Sequence, residues 1–216
     1  MTAPRAALAA LFKKLPVVVE VDDDFRTVSP RNVAWQQVHP KTSPHKNYLH
    51  LERACRMADW VTVSTPALAQ RYGRHGRVTV LPNLVPSWYL SLKAKRPVGF
   101  DGKLVGWSGN TQTHPDDLQT TRGAVGRAML DSGWGFHFIG EDRADGLEVA
   151  KLLGLGHGRV PFAQTKWLDL ASGDYAAGMG GMDLGIVPLE MSAFNQAKSY
   201  LKGLEWAALG VPFVAA

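Results

Sequence analysis

The chain reads as α/β, with two Rossmann-like parallel-sheet domains joined by an irregular linker. Three observations predict this. Apolar runs of strand length alternate with helix-length amphipathic stretches from Val17 onward. The alternation breaks once, at LVPSWYLSLKAKRPVGFDGK, which has no clean period and carries Pro86 and Pro97 near its ends. Charge divides at the same place. Residues 1–96 hold 15 Lys or Arg against 6 Asp or Glu, net +9, and residues 97–216 hold 9 against 13, net −4. We therefore expect a first domain over 1–85, a linker over 86–102 and a second domain over 103–216.

In order, residues 1–16 are apolar and basic but too short and poorly ordered for a signal peptide. They read as a helix whose composition also suits a membrane surface. Val17 to Val21 is a β-branched strand that ends in Asp22, Asp23 and Asp24. Residues 46–58 read as a helix with Leu49, Ala54 and Met57 inward. Trp60 to Val63 is a strand, and Thr65–Pro66 opens the next helix by the capping and first-turn proline rules. Val78 to Leu81 is a strand stopped by Pro82–Asn83. After the linker, strands are expected at 103–107, 135–139, 159–161, 183–187 and 211–214. Helices are expected at 115–130, 145–153, 167–178 and 196–209.

Composition sets outer bounds. With 45% hydrophobic residues the 216-residue chain can build packed cores and is not disordered. The lone cysteine, Cys55, excludes an internal disulfide framework and fits a reducing, cytoplasmic setting. No apolar run approaches the length of a membrane span. The basic first half suits phosphate, nucleic acid or an anionic surface, although its Lys and Arg are scattered rather than clustered.

The most informative segment is DLGIVPLEMSAFNQAKSYLKGLEWAALGVPFVAA, residues 183–216. Leu184 to Val187 suits a strand covered on both faces. Ala197, Leu201, Leu204 and Ala208 recur at helical spacing, and Gly210 and Pro212 stop the helix. The start of such a helix offers free amides and a positive dipole end to an anion. Lys198 would add a full charge beside Asn195 and Ser199. Glu205, an acceptor-only carboxylate two turns on, suits both hydroxyls of a ribose. The plainer alternative is a solvated Lys202–Glu205 pair with Asn195 as a cap.

A second loop lies in LVGWSGNTQTHPDDL, Leu104 to Leu118. Its glycines, Gly106 and Gly109, allow backbone to approach a ligand beyond the carboxyl end of a strand. Asn110 and His114 stand beside them; the alternative makes His114 a cap. Of seven tryptophans, Trp107 in this loop and Trp35 in a polar loop are the two that do not read as core.

FNQAKSYLKGLEWAALGVPFVAA resembles the donor-site signature of GT-B glycosyltransferases in the broad group related to family 4. There a Glu followed by small residues and Gly-x-Pro binds the ribose, and Glu205 matches it. Members usually carry another Glu eight positions earlier, where this chain has Ala197. ADWVTVSTPALAQRYGRHGRVTVLPNLVP is similar to the end of the first GT-B domain, through Ser64, Thr65, Pro66, Pro82 and Asn83. The loop at Gly109 and His114 is similar to the family's Gly-Ser-x-x-His pattern, which faces the donor. The likeness covers residues 17–216 but only the middle of the family's length. The first domain is expected to be incomplete and the second to lack its closing elements.

The resemblance implies transfer of a sugar from a nucleotide-diphosphate-sugar donor to a hydroxyl acceptor on a glycan, lipid or protein. Its donor contacts are Gly109, Asn110, His114, Lys198, Ser199 and Glu205. It implies no cofactor and no bound divalent metal, with Asp22 and Asp24 at the acceptor cleft. Three rivals stand beside it. One is a remnant, inactive or completed by a second subunit. Another is a metal-dependent GT-A-like enzyme using Asp22 and Asp24, whose Asp-x-Asp spacing could bridge an ion to a diphosphate. The third is a basic nucleic-acid-binding protein.

Overall fold

A computed structural model describes residues 15–142, 146–156, 158–166 and 173–215. The helix expected over 1–16 and Trp167 fall on residues outside these. The chain forms two compact units, Met1–Asn83 with Met191–Ser199, and Leu84–Glu190 with Tyr200–Ala216. Residues 191–199 thus belong to the first unit.

The first unit holds a three-stranded parallel sheet in the order β1-β2-β3, from Val18–Val21, Trp60–Val63 and Val78–Val80. Helices α1 (Trp35–Val38), α2 (Asn47–Met57) and α3 (Pro66–Tyr72) lie between the strands in sequence. Thr65 caps α3 as expected: its Oγ1 accepts from the Leu68 amide at 3.3 Å, with Pro66 in the first turn. The inward face of α2 differs from expectation. Leu49 and Met57 are exposed, while Tyr48, Ala54 and Cys55 are buried. Ala54 is buried as expected, but the rest of the buried arc lies about one residue, roughly 100°, round the helix from the expected one. The core joins Val21, Cys55, Ala58, Val61, Val63, Leu68 and Tyr72 with Ala197.

The second unit holds five parallel strands in the order β6-β5-β4-β7-β8. They are β4 (Leu104–Asn110), β5 (Gly135–Glu141), β6 (Phe162–Thr165), β7 (Leu184–Val187) and β8 (Phe213–Ala215). The helices are α4 (Ala124–Ser132), α5 (Leu147–Leu153), α6 (Asp174–Gly180) and α8 (Leu201–Ala208); α7 (Ala193–Ala197) lies in the first unit. The helix expected from 115 starts at 124 instead. Arg122 and Gly123 both take positive φ, 47° and 72°, and separate it from a 3₁₀ turn at Leu118–Thr121.

Strand alternation sorts the core of this unit onto two faces. Val105, Trp107, Phe136 and Phe138 pack with Met129, Val149 and Leu153 on one side. Leu104 and Ile139 pack with Tyr175, Met179 and Trp206 on the other. Trp107 is therefore core, stacked on Phe138 at 5.2 Å. On the second face, Gly106 and Gly185 are register partners across β4 and β7. A Cβ at 185 would stand 2.5 Å from the Trp206 ring, and one at 106 would stand 3.2 Å from it. The paired glycines thus leave the flat floor on which the buried Trp206 of α8 rests.

Candidate functional site

In an open α/β sheet, ligands bind beyond the carboxyl ends of the strands where the chain's winding direction reverses. In the second unit that place is between β4 and β7: from β4 the chain runs outward through β5 and β6, then returns to β7 and β8. Two segments meet there, the residues after Asn110 and those after Val187. Asp117, itself buried, joins them. Its Oδ1 accepts the Glu190 amide at 2.9 Å, and its Oδ2 pairs with His114 Nδ1 at 2.9 Å. The loop closes on Asn110, whose Oδ1 accepts from Gln112 N and whose carbonyl accepts from His114 N. Behind it, Gly109 pairs with Gly140, where φ is 146° and a Cβ would lie 1.9 Å from the Gly109 carbonyl oxygen. Only glycine fits at 140.

With the Nδ1 proton directed at Asp117, a neutral His114 leaves Nε2 as an acceptor, and a protonated ring makes it a donor. His114 is thus a positioned side chain rather than a helix cap.

Glu205 lies on α8, next to Trp206, and is 7% exposed. A polar chain holds it. Tyr89 Oη donates to Oε1 at 3.4 Å, and Lys202 Nζ pairs with Oε2 at 3.0 Å. Lys202 also bonds Tyr175 Oη, which donates to Ser108 Oγ on β4 at 3.0 Å. Burial and the Glu205 charge push Tyr89 up to about 12. Burial likewise raises Tyr175. Burial alone would lower Lys202, but the oxygens of Tyr175 and Glu205 outweigh it and its pKa is raised. Lys202 stays a cation and Glu205 keeps a fixed partner. The two carboxylate oxygens offer about four lone-pair sites, so capacity remains for two hydroxyl donors.

The structure divides the expected donor set between the units. Gly109, Asn110, His114 and Glu205 belong to the second; Lys198 and Ser199 belong to the first. The helix expected over 196–209 is in fact two. Ser192 caps the five-residue α7, Lys198 is extended, and α8 begins at Leu201. Its apolar stripe misled because Ala197 packs into the first unit, where its carbonyl accepts from Thr65 Oγ1 at 2.7 Å. The buried face of α8 is Glu205 and Trp206 rather than Leu204 and Ala208. Lys198 consequently does not stand at a helix start. It pairs with Asp23 at 3.3 Å, and Ser199 Oγ accepts from Asn83 at 2.8 Å.

Asp22 and Asp24 also part company. Asp22 is exposed and accepts from Asn83 Nδ2 at 3.2 Å. Asp24 is buried, paired with Arg71, and accepts from Thr27 Oγ1 and the Arg26 amide. Two open carboxylates do not face one point, and among the described residues no three His, Cys, Asp or Glu gather around one. Cys55 is buried filler whose thiol is pushed up to about 11 by burial and the Glu52 charge. Among the described residues no helix is long and apolar enough to cross a membrane.

Sequence reading missed Ser108, Asp117, Tyr175 and Tyr89. Asp117 lies within LVGWSGNTQTHPDDL, but its partner is the Glu190 amide, outside that segment. Tyr89 lies in the aperiodic linker, where no pattern marks it.

No protein-family model matches the chain, and no curated protein matches it significantly. Solved structures do. HepE from Anabaena, crystallised with UDP and glucose, superposes with a TM-score of 0.57 at 17% identity, over 99% of this chain and 56% of that one. TarM from S. aureus, in complex with UDP among other ligands, gives 0.58 at 14%, over 97% and 39%. WaaG, a glycosyltransferase involved in lipopolysaccharide biosynthesis, gives 0.56 at 14%, over 94% and 57%. These likenesses establish the fold: two Rossmann-like parallel-sheet units of GT-B type. The chain spans little more than half the length of HepE and WaaG.

Proposed function

We propose that the chain carries the donor half of a glycosyltransferase that takes a sugar from a nucleotide-diphosphate-sugar to a hydroxyl acceptor. The observation that carries this is Glu205, a buried carboxylate fixed by Tyr89 and Lys202 and linked through Tyr175 to Ser108 on the switch-point strand. In our reading Glu205 takes the ribose hydroxyls. The amides around Gly109 and Asn110 and the Nε2 of His114 face the diphosphate and the sugar. Catalysis then rests on positioning and on dipoles that stabilise the leaving diphosphate. HepE with UDP and glucose, and TarM with UDP, support the ligand class. No metal or cofactor enters this reading. The acceptor is a glycan, lipid or protein hydroxyl, and a second subunit that completes the fold is compatible with it.

Thermal-shift measurement with UDP-, GDP- and dTDP-sugars tests it. At a hundred times Kd a ligand adds about 2.7 kcal/mol, which raises the melting temperature by roughly 5–10 °C in a chain of this size. Glu205→Gln, which keeps the shape but replaces one acceptor oxygen with a donor amide, loses most of that rise. A flat response to every nucleotide sugar at millimolar concentration refutes the reading.

A further inference from the structure

The first unit contains a cavity of about 270 Å³ that plays no part in the proposed transfer. It is lined by Glu52, Cys55 and Arg56 of α2, by Arg71 and Tyr72 of α3, and by Arg74 and His75 just beyond. Three arginines therefore line one small space. Arg71 is committed to Asp24. The guanidinium groups of Arg56 and Arg74 make no ion pair or hydrogen bond among the described residues.

His75 completes the wall. Its Nδ1 accepts the Arg77 amide at 3.1 Å, which fixes the ring proton on Nε2. That Nε2 is buried with no hydrogen-bond partner. With no accessible surface it does not open onto the cavity, so His75 contributes wall rather than a donor. Glu52 supplies the opposite polarity. Its Oε1 accepts from Tyr48, and its remaining lone pairs can accept from hydroxyls. Cys55 is buried and its thiol is pushed up to about 11, so no covalent chemistry is expected of it.

We propose that this cavity is a binding site for a phosphomonoester that also carries hydroxyl groups. Arg56 and Arg74 hold the phosphate oxygens, planar guanidinium being suited to paired contacts with them. Glu52 accepts from a hydroxyl. The same chemistry is presented by a free sugar or polyol phosphate and by the headgroup of an anionic lipid.

Isothermal titration of the whole chain with glycerol 3-phosphate, and flotation with vesicles of phosphatidylcholine alone or with phosphatidic acid, test the site and separate the sources. Saturable binding of glycerol 3-phosphate is expected, weaker for glycerol, and reduced about tenfold or more in Arg74→Gln and in Arg56→Gln. Both arginines are exposed, so these variants should melt as the parent does. Flotation with phosphatidic acid, lost in Arg74→Gln, in the absence of glycerol 3-phosphate binding would assign the site to a lipid headgroup. Binding of neither probe, or binding that the double variant Arg56→Gln/Arg74→Gln leaves unchanged, overturns the proposal. A nucleotide-sugar thermal shift that survives in that double variant separates this site from the donor reading.

Discussion

The two units use the same α/β grammar with different materials. In the first, β1 and β3 are partly or largely exposed, and the buried charge among the described residues is Asp24, just beyond β1. In the second, β4 and β5 are buried along almost their whole length and carry four glycines between them, with Ser108 and His137. Removing Cβ atoms from central strands lets large side chains and polar groups lie close to the sheet. The first unit is thus built by β-branched packing around a small core. The second gives up strand propensity at Gly106 and Gly185 to seat Trp206, and at Gly109 and Gly140 where β4 and β5 approach closely. A ligand site is expected where such local concessions accumulate.

The largest break in that contrast should come from Trp206→Ala. It removes a fully buried indole from the floor formed by Gly106 and Gly185, and should cost about 3–5 kcal/mol. Urea unfolding followed by circular dichroism should show it, together with loss of any nucleotide-sugar protection, since Glu205 is the neighbouring residue on α8. Gly185→Ala approaches the same defect from the strand side. An unchanged midpoint in both would mean that Trp206 does not anchor the helix.

How much of this was legible follows the same division. The strands at 60–63, 135–139 and 183–187 were readable because β-branched and apolar runs set them regardless of context. The Thr65 cap was readable for a similar reason: it is a local hydrogen bond. The helix over 196–209 was misread because periodicity assumes one burial environment. Ala197 and Trp206 bury in different units, and the extended backbone at Lys198 is set by that tertiary fact. Glu205 was legible by motif alone; its partners Tyr89, Tyr175 and Ser108 come from distant segments that no single-sequence pattern joins. Asp117 was visible as a residue, yet its role depends on the Glu190 amide, 73 positions away.

A second contrast is one of pH. His137 lies in the middle of β5, buried, with Nε2 on Thr165 Oγ1 at 2.8 Å. Burial lowers its pKa from 6.5 to about 4. The unfolded chain therefore binds a proton that the folded chain refuses between these values. Stability should be fully present above about pH 6.5 and fall as pH drops toward 4, by on the order of 3 kcal/mol. His137→Gln retains a donor for Thr165 without titrating. The difference between parent and variant melting temperatures across pH 4–7 isolates the effect, and a parallel pair of curves would refute it.

In the first unit, Asp24→Ala should cost about 2–3 kcal/mol, because it strands the partly exposed Arg71 and frees the turn at Thr27. Asp22→Ala should cost far less, its carboxylate being exposed. If transfer activity is measured, EDTA should leave it unchanged in the parent and in Asp22→Ala. Metal-dependent turnover that vanishes in both aspartate variants would instead favour the Asp-x-Asp rival over the pairing seen at Asp24.

The smallest effect should come from Lys198→Ala. Its salt bridge to Asp23 is half in solvent, 24% exposed on one side and 43% on the other, and pairs of this kind contribute about 0–1 kcal/mol. Its Nζ also lies 4.6 Å from the centroid of the Phe194 ring, a contact worth about as little at an exposed site. Lys202→Ala makes the instructive partner: it removes the cation shared by Glu205 and Tyr175, so it should lower both stability and the nucleotide-sugar thermal shift. If Lys198→Ala abolished that shift while Lys202→Ala preserved it, the cation that matters to the donor would be the one the sequence motif first suggested. The polar chain from Ser108 to Glu205 would then be scaffolding alone.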